Sequence, residues 1–266
     1  MRVLVIGGVA AGTKVAAKLK RENRSCEVTI LTKSKDISYA GCGLPYYVGK
    51  VIPERSQLIV NTPEKFSDLT GVSVLTEVEV TKINPLEKTV DAFDLKTKET
   101  SKYEYDKLVI ATGAEAITPP IDGVNLKNVF LLRTPDDAVA IRDAVESGEI
   151  KRAVVVGGGY IGLEIAENLA AQGIKITVID MASHILPGFD EEFSEYVENH
   201  LAEQRIVTFT DTKLEAILGE EKVEKIQTSK RAFKADAVIL SVGIRANTAF
   251  LADSGIELMP NKTIKV

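Results

Sequence analysis

Ala153-Val154-Val155-Val156-Gly157-Gly158-Gly159-Tyr160-Ile161-Gly162 is a short apolar strand that runs straight into a glycine-rich turn. An Ala- and Leu-rich helix is expected over Leu163 to Ala171, and a second strand over Lys175 to Ile179. Strand, glycine turn, helix and strand in that order make a βαβ unit with a parallel sheet. The glycines allow a tight turn and a close approach to the backbone, and the helix start offers unpaired N–H groups and a positive dipole end. Gly157, Gly159 and Gly162 have the full spacing of a pyrophosphate-holding turn. Asp180 ends the second strand, where a carboxylate can accept from a ribose 2′-hydroxyl. Met181, Ala182 and Ser183 follow it with no arginine, which favours NADH over NADPH.

The unit occurs twice. Arg2-Val3-Leu4-Val5-Ile6-Gly7-Gly8-Val9-Ala10-Ala11-Gly12 repeats the pattern, with a helix expected from Thr13 to Leu19 and a strand from Cys26 to Leu31. Alternating β segments follow in each copy. They are Val72–Val80, Thr89–Leu95 and Glu99–Tyr105 in the first, and Lys213–Leu218, Val223–Thr228 and Ala232–Ala235 in the second. Each copy closes with an aspartate, an apolar strand and a glycine: Asp106 to Gly113, and Asp236 to Gly243. The expected fold is α/β, with two tandem Rossmann-like, three-layer ββα domains. Each has a parallel sheet with helices on one face and an antiparallel meander on the other. Pro119-Pro120 marks the crossover between copies. The first turn is looser than the second, because Val9 takes the middle glycine position. Thr32 stands where a ribose-binding acid is expected, and a hydroxyl bonds a ribose less strongly than a carboxylate does.

Bulk composition narrows the function. The chain has 266 residues, is 45% hydrophobic and carries a net charge of −5 with acids and bases interspersed. That is enough for two cores, and it leaves no footprint for nucleic acid or a membrane surface. No apolar run reaches membrane-spanning length, and Val3 to Ile6 is too short for a signal peptide, so a cytoplasmic protein is expected. Two cysteines and two histidines without ligand spacing argue against a metal site. Cys26 reads as a small core residue at the start of a strand. Cys42 is different. It lies in Ile37-Ser38-Tyr39-Ala40-Gly41-Cys42-Gly43-Leu44-Pro45-Tyr46-Tyr47, with glycines on both sides that leave the sulfur little cover. The plain alternative is a packed turn thiol.

The duplicated dinucleotide folds, the Ser-Tyr-x-x-Cys-Gly-Leu-Pro-Tyr setting and the closing Ala-Thr-Gly-Ala and Val-Gly-Ile-Arg-Ala-Asn segments together resemble the flavoprotein pyridine nucleotide-disulfide oxidoreductases. Within them the chain resembles the single-cysteine branch, which holds coenzyme A disulfide reductases, NADH oxidases and peroxidases, and NADH-dependent persulfide reductases. The resemblance implies an FAD-binding domain over 1–118, an NADH-binding domain over 119–243 and a return segment over 244–266. It places Gly7, Gly8, Ala11, Gly12, Thr32, Lys33, Val80, Ala111, Thr112 and Gly113 at FAD. At NADH it places Gly157, Gly159, Tyr160, Ile161, Gly162, Asp180 and Gly243, with Glu164 near the nicotinamide. Cys42 is the implied redox nucleophile. It would take electrons from NADH by way of FAD and attack the sulfur of a small-molecule disulfide or persulfide, with coenzyme A disulfide the leading substrate.

Lys14, Lys18 and Arg21 share one face of the first helix, which on residues alone is as much a solvated basic face as a site. The resemblance assigns them to the coenzyme A phosphates and puts Ser38 and Gly41 near the pantetheine arm. The oxidases and peroxidases of this branch carry a histidine where this chain has Ala10, which favours the reductase over an NADH oxidase. The resemblance also implies an Asp-bearing flavin strand and a homodimerisation domain beyond the segment that ends at Val266. The chain is therefore expected to be a fragment, or a short protein without part of its flavin site. A catalytically silent nucleotide-binding module is the third reading.

Overall fold

The computed structural model describes residues 1–266. The first elements are β1 (Arg2–Ile6), α1 (Ala11–Glu22), β2 (Glu27–Thr32), α2 (Leu44–Val48) and α3 (Pro63–Thr70). There follow β3 (Ser73–Thr76), β4 (Val78–Asn84), β5 (Thr89–Asp94), β6 (Thr100–Glu104), β7 (Lys107–Ile110) and β8 (Ala114–Ala116). The next are β9 (Val129–Phe130), α4 (Pro135–Glu146), β10 (Arg152–Val156), α5 (Tyr160–Ala170), β11 (Lys175–Ile179) and α6 (Glu191–Glu203). The last are β12 (Val207–Phe209), β13 (Leu214–Leu218), β14 (Lys225–Thr228), β15 (Ala232–Lys234), β16 (Ala237–Leu240) and β17 (Ile244–Ala246).

The chain divides into two compact units. The first comprises Met1–Ala40, Ile59–Glu115 and Arg245–Val266, and the second Gly41–Leu58 and Ala116–Ile244. The first unit holds a parallel sheet of order β3-β2-β1-β7 and a meander β4-β5-β6. Strand alternation separates its layers. Val3 and Val5 pack with Ala16, Val28, Ile30, Ile37 and Phe66 on the helix side. Leu4 and Ile6 pack with Val78, Val80, Val90 and Ala92 on the meander side. Successive side chains of a strand point to opposite faces, so one apolar run fills both cores. Phe250, Leu251, Ile256, Leu258 and Ile264 return to the meander-side core.

The second unit holds a parallel sheet of order β12-β11-β10-β16-β9 and a meander β13-β14-β15. Val154, Val156, Val238 and Leu240 pack with Leu214, Ile217, Val223 and Ile226. Both sheets put the strand before the glycine turn in the middle, with chain order diverging on its two sides, and a crevice opens at the carboxyl end of such a switch point. In both units this α/β, three-layer arrangement is the one expected from sequence.

One expected strand is two. Val72–Val80 splits because Glu77 has a left-handed backbone, φ 59°, between β3 and β4. Its N–H bonds Ser34 O and its carbonyl accepts from Leu95 N–H. β3 thereby joins the parallel sheet while β4 starts the meander.

The two aspartates that precede the closing strands prove to be rivets. Asp106 Oδ2 accepts from Arg2 N–H at 2.7 Å and Asp236 Oδ2 from Arg152 N–H at 2.9 Å, and each also holds the guanidinium of that arginine. The Arg2 N–H bond, above all, holds the Asp106 carboxyl below its usual range. Burial pushes Asp236 up, but the Arg152 guanidinium and the Lys151 and Arg152 N–H groups outweigh it, and the net shift is down. A carboxyl whose folded pKa lies below its unfolded value adds stability that is complete above the unfolded value, about 4, and is lost as pH falls through the folded value. Urea midpoints should therefore fall on acidification below about pH 5. Asp236→Asn should cost about 1–3 kcal/mol at pH 7 and flatten part of that acid slope. A midpoint-against-pH slope unchanged by the substitution would remove the rivet role.

Candidate functional site

The second glycine turn is built by backbone geometry. Gly157 has φ 110°, and a Cβ on it would sit 2.2 Å from Ser241 O, so only glycine fits against the end of β16. Gly157 N–H bonds Ile179 O at 2.8 Å and Ser241 N–H bonds Val156 O at 2.8 Å, which closes the switch point. A Cβ on Gly162 would lie 2.0 Å from Gly157 O, so the helix packs directly onto the turn. Gly159 is of another kind. Its φ of −82° and ψ of 179° suit any residue, and nothing lies within 4 Å of where its Cβ would be. The fold does not demand glycine there, and the open space leaves room for a ligand to approach the backbone. Gly159 caps α5 without a side chain, so the first N–H groups of the helix face that open space.

Asp180 grips the turn as well as standing over it. Its Oδ2 accepts from Gly158 N–H at 2.6 Å and its Oδ1 from Ala182 N–H at 2.8 Å. A carboxylate has about four acceptor directions, so room remains for a ribose hydroxyl. The turn thus fits the pyrophosphate and ribose of a dinucleotide. Tyr160 is exposed and meets Phe189 edge-on at 6.0 Å, and Phe189 meets Phe193 likewise at 6.0 Å. Ile161 is exposed beside it. Burial, then the charge of Glu167, holds the Glu164 carboxyl above its usual range. Gly243 has φ 114° and its carbonyl accepts from Ile117 N–H.

The first turn repeats the phosphate part. A Cβ on Gly7 would sit 2.2 Å from Ala111 O, and one on Gly12 1.8 Å from Gly7 O. Ala11 starts α1, which Ala10 caps without a side-chain bond. The ribose part is not repeated. Thr32 is buried, and its Cβ and Cγ2 lie 3.2 Å from where a Cβ of Gly8 would be, so methyl packing replaces the carboxylate grip. Lys33 is exposed and its ammonium pairs with Glu79 at 2.8 Å. Val80 is a core residue of the meander side. The Thr112 hydroxyl donates to Asn247 O at 2.8 Å, Asn247 Nδ2 returns a bond to Thr112 O, and Gly113 turns with φ 64°. This unit therefore fits the phosphates of a dinucleotide such as FAD better than its adenosine ribose.

The duplication extends to a pair of residues invisible in the motifs. Ile37 and Ile185 are buried beneath the second glycine of each turn, Gly8 and Gly158. The next residues, Ser38 and Leu186, have left-handed φ of 48° and 51°, and their N–H groups bond Gly8 O and Gly158 O. The unusual backbone of Ser38 is thus a fold device shared with a leucine. In the sequence the shared mark is an isoleucine alone, five residues after β2 ends and six after β11 ends.

Cys42 is exposed in the 3₁₀ turn Gly41–Gly43, and Cys26 is buried. Gly41 has open space around it. Lys14 and Arg21 are exposed on α1, while Lys18 pairs with Glu22 at 2.8 Å. No cluster of three or more His, Cys, Asp or Glu that could hold a metal occurs, and no helix is long and apolar enough to cross a membrane.

The chain belongs to the pyridine nucleotide-disulphide oxidoreductase family, whose model matches residues 1–266. Members work with FAD and a nicotinamide dinucleotide. Curated relatives, NADH oxidases and coenzyme A disulfide reductases among them, are 30–36% identical, and the chain spans 56–59% of their length. One is the NAD(P)H coenzyme A polysulfide/persulfide reductase of Pyrococcus horikoshii, 36% identical over 97% of this chain and 57% of that one. Among solved structures, reduced CoADR-RHD of Bacillus anthracis superposes with a TM-score of 0.96 at 34% identity, over all of this chain and 48% of that one. An engineered, NADPH-bound form of the water-forming NADH oxidase of Lactobacillus brevis gives 0.92 at 29% identity, over 98% and 57%.

Proposed function

We propose that this chain is the dinucleotide-binding part of a flavoprotein that passes electrons from NADH to a coenzyme A disulfide or persulfide through Cys42. The observation that carries this reading is the exposed, glycine-flanked thiol of Cys42 in a chain whose other cysteine is buried. The relatives named for coenzyme A chemistry support the substrate class. FAD and NADH, when bound, supply the two-electron transfer. The second glycine turn and Asp180 hold NADH, and the first turn holds FAD by its phosphates. The Cys42 thiolate attacks one sulfur of the substrate disulfide, forms a mixed disulfide and expels the other half as a thiolate. Two electrons and one proton then release the second thiol and restore the thiolate. By this reading 1–118 and 244–266 serve the flavin and 119–243 serves NADH.

The choice of NADH has independent support. The five replacements in the engineered NADPH-bound oxidase are spaced as Gly162, Asp180, Met181, Ala182 and Pro187 are here, and three of the five original residues are the same types. That form gains arginines and loses the aspartate. This chain keeps Asp180, whose charge repels a 2′-phosphate. Asp180→Ala should weaken NADH binding at least tenfold, about 1.4 kcal/mol, and narrow the preference over NADPH; titration of intrinsic nucleotide fluorescence reads both constants. Equal NADH affinity in the variant would remove Asp180 from the site.

An NADH oxidase is the second reading, favoured by the relatives that carry that name. Ala10 stands against it. The visible spectrum of the purified chain, with FAD added and then NADH under anaerobic conditions, tests the whole scheme. Bleaching by NADH followed by recovery with coenzyme A disulfide supports the reductase. Recovery with oxygen alone supports the oxidase. A chain that takes up no flavin refutes the proposal for these 266 residues.

A further inference from the structure

We propose that Arg142 is a positioning residue for Cys42, acting through the segment that follows the cysteine. This rests on the reading of Cys42 as the reacting thiol. The turn that carries Cys42 has little to fix it from its own side: Gly41 has open space around it, and the cysteine is exposed. Upstream, Ser38 N–H bonds Gly8 O and Ser38 O accepts from Val60 N–H; downstream, Leu44, Pro45, Tyr47 and Val48 are buried. That downstream stretch is gripped by its main-chain oxygens. Arg142 Nη1 lies 2.8 Å from Pro53 O and 3.4 Å from both Tyr47 O and Ile52 O. The guanidinium sits over the Tyr47 ring at 4.5 Å. Its Nε donates to Glu146 at 3.1 Å, and Glu146 also pairs with Lys50 at 3.1 Å.

Arg142 is thus only 16% exposed at the side chain, with its charge directed onto the carbonyls of Tyr47 in α2 and of Ile52 and Pro53 beyond it. A cation is favourable there, and a planar fork serves several carbonyls and a ring at once, which a lysine cannot do. The platform is firm. A capping box of Thr134 and Asp137 starts α4, the helix that bears Arg142. A second anchor comes from α5: Gln172, just past its end, donates to Val48 O at 2.9 Å. Gly49 packs so closely on Asn168 that a Cβ would lie 1.9 Å from its Oδ1. The segment after the cysteine is therefore seated on the two helices that flank the second glycine turn's strand.

Alkylation of the intact chain by iodoacetamide, followed by mass spectrometry across pH, tests this. Cys26 is the buried internal reference. Arg142→Gln should change the Cys42 rate constant at pH 7 at least threefold and displace its pH midpoint, with the NADH dissociation constant within twofold of the parent. A purely structural role would leave that pH midpoint where it is. An unmoved midpoint overturns the proposal, whatever the rate. If Arg142→Gln does not fold, Gln172→Leu removes the neighbouring carbonyl donor and is read by the same criterion. The readout is the thiol and not turnover, so it separates from the reading of Cys42: that reading falls if Cys42→Ser still reduces disulfide, whatever the alkylation of Arg142→Gln shows.

Discussion

Cys42→Ser is expected to lower disulfide reduction at least about a thousandfold, the scale on which loss of a nucleophile acts. Serine is nearly the same size, and the position is exposed, so stability should stay within about 0.5 kcal/mol. The chemistry changes because a hydroxyl does not ionise near neutral pH and makes no stable bond to the attacked sulfur. Cys26 offers no detour, since it is 2% exposed within the helix-side core. The measurement is thiol release from coenzyme A disulfide with NADH as donor, beside flavin absorbance. Flavin binding and its bleaching by NADH should persist. A serine chain that reduces the disulfide at the parent rate would end the assignment of Cys42.

The second large effect distinguishes two glycines only two residues apart. Gly157→Ala should destabilise the chain by about 3 kcal/mol or more, because it combines a strained backbone with a clash. Its φ of 110° disfavours any side chain, and the new methyl would stand 2.2 Å from Ser241 O, a backbone atom that cannot swing aside. Gly159→Ala should leave stability within about 0.5 kcal/mol, since its backbone is extended and its Cβ meets open space. The methyl would instead occupy the place a pyrophosphate needs, and NADH affinity should drop at least tenfold. Urea denaturation and nucleotide titration on both variants decide the matter. Equal stability loss in the two would mean that Gly159 serves the fold.

Much of this was legible because it rests on local backbone demands. A strand running into glycines is hard to read otherwise, and the repetition of Val3–Gly12 in Ala153–Gly162 reinforced it. The closing Asp-strand-Gly segments were legible as pattern but not as rivets, because the partners Arg2 and Arg152 lie 104 and 84 residues away. The break at Glu77 was hidden, as its left-handed turn is stabilised by Ser34 and Leu95, neither of them adjacent. Nothing in the sequence sets Ile37 and Ile185 apart from other apolar residues, because only the fold places them under Gly8 and Gly158. Thr32 and Asp180 were the most informative pair: the sequence exposed the difference, and the structure gave its form, methyl packing in one copy and a two-armed carboxylate in the other. Arg142 was illegible, since nothing in α4 announces that its charge is spent on carbonyls near residue 50.

The seating of Gly41–Leu58 in the second unit has a consequence for recombination. The chain passes between units at 40/41, 58/59, 115/116 and 244/245. Two ancestral copies joined end to end would cross once. A swap that exchanged only the second copy as one contiguous cassette, 119–243, would leave Gln172 and Arg142 facing a foreign partner at Val48 and Pro53. Chimaeras between relatives should therefore tolerate exchange of the second copy only when 41–58 travels with it, so that these two stretches are inherited together although some sixty residues lie between them.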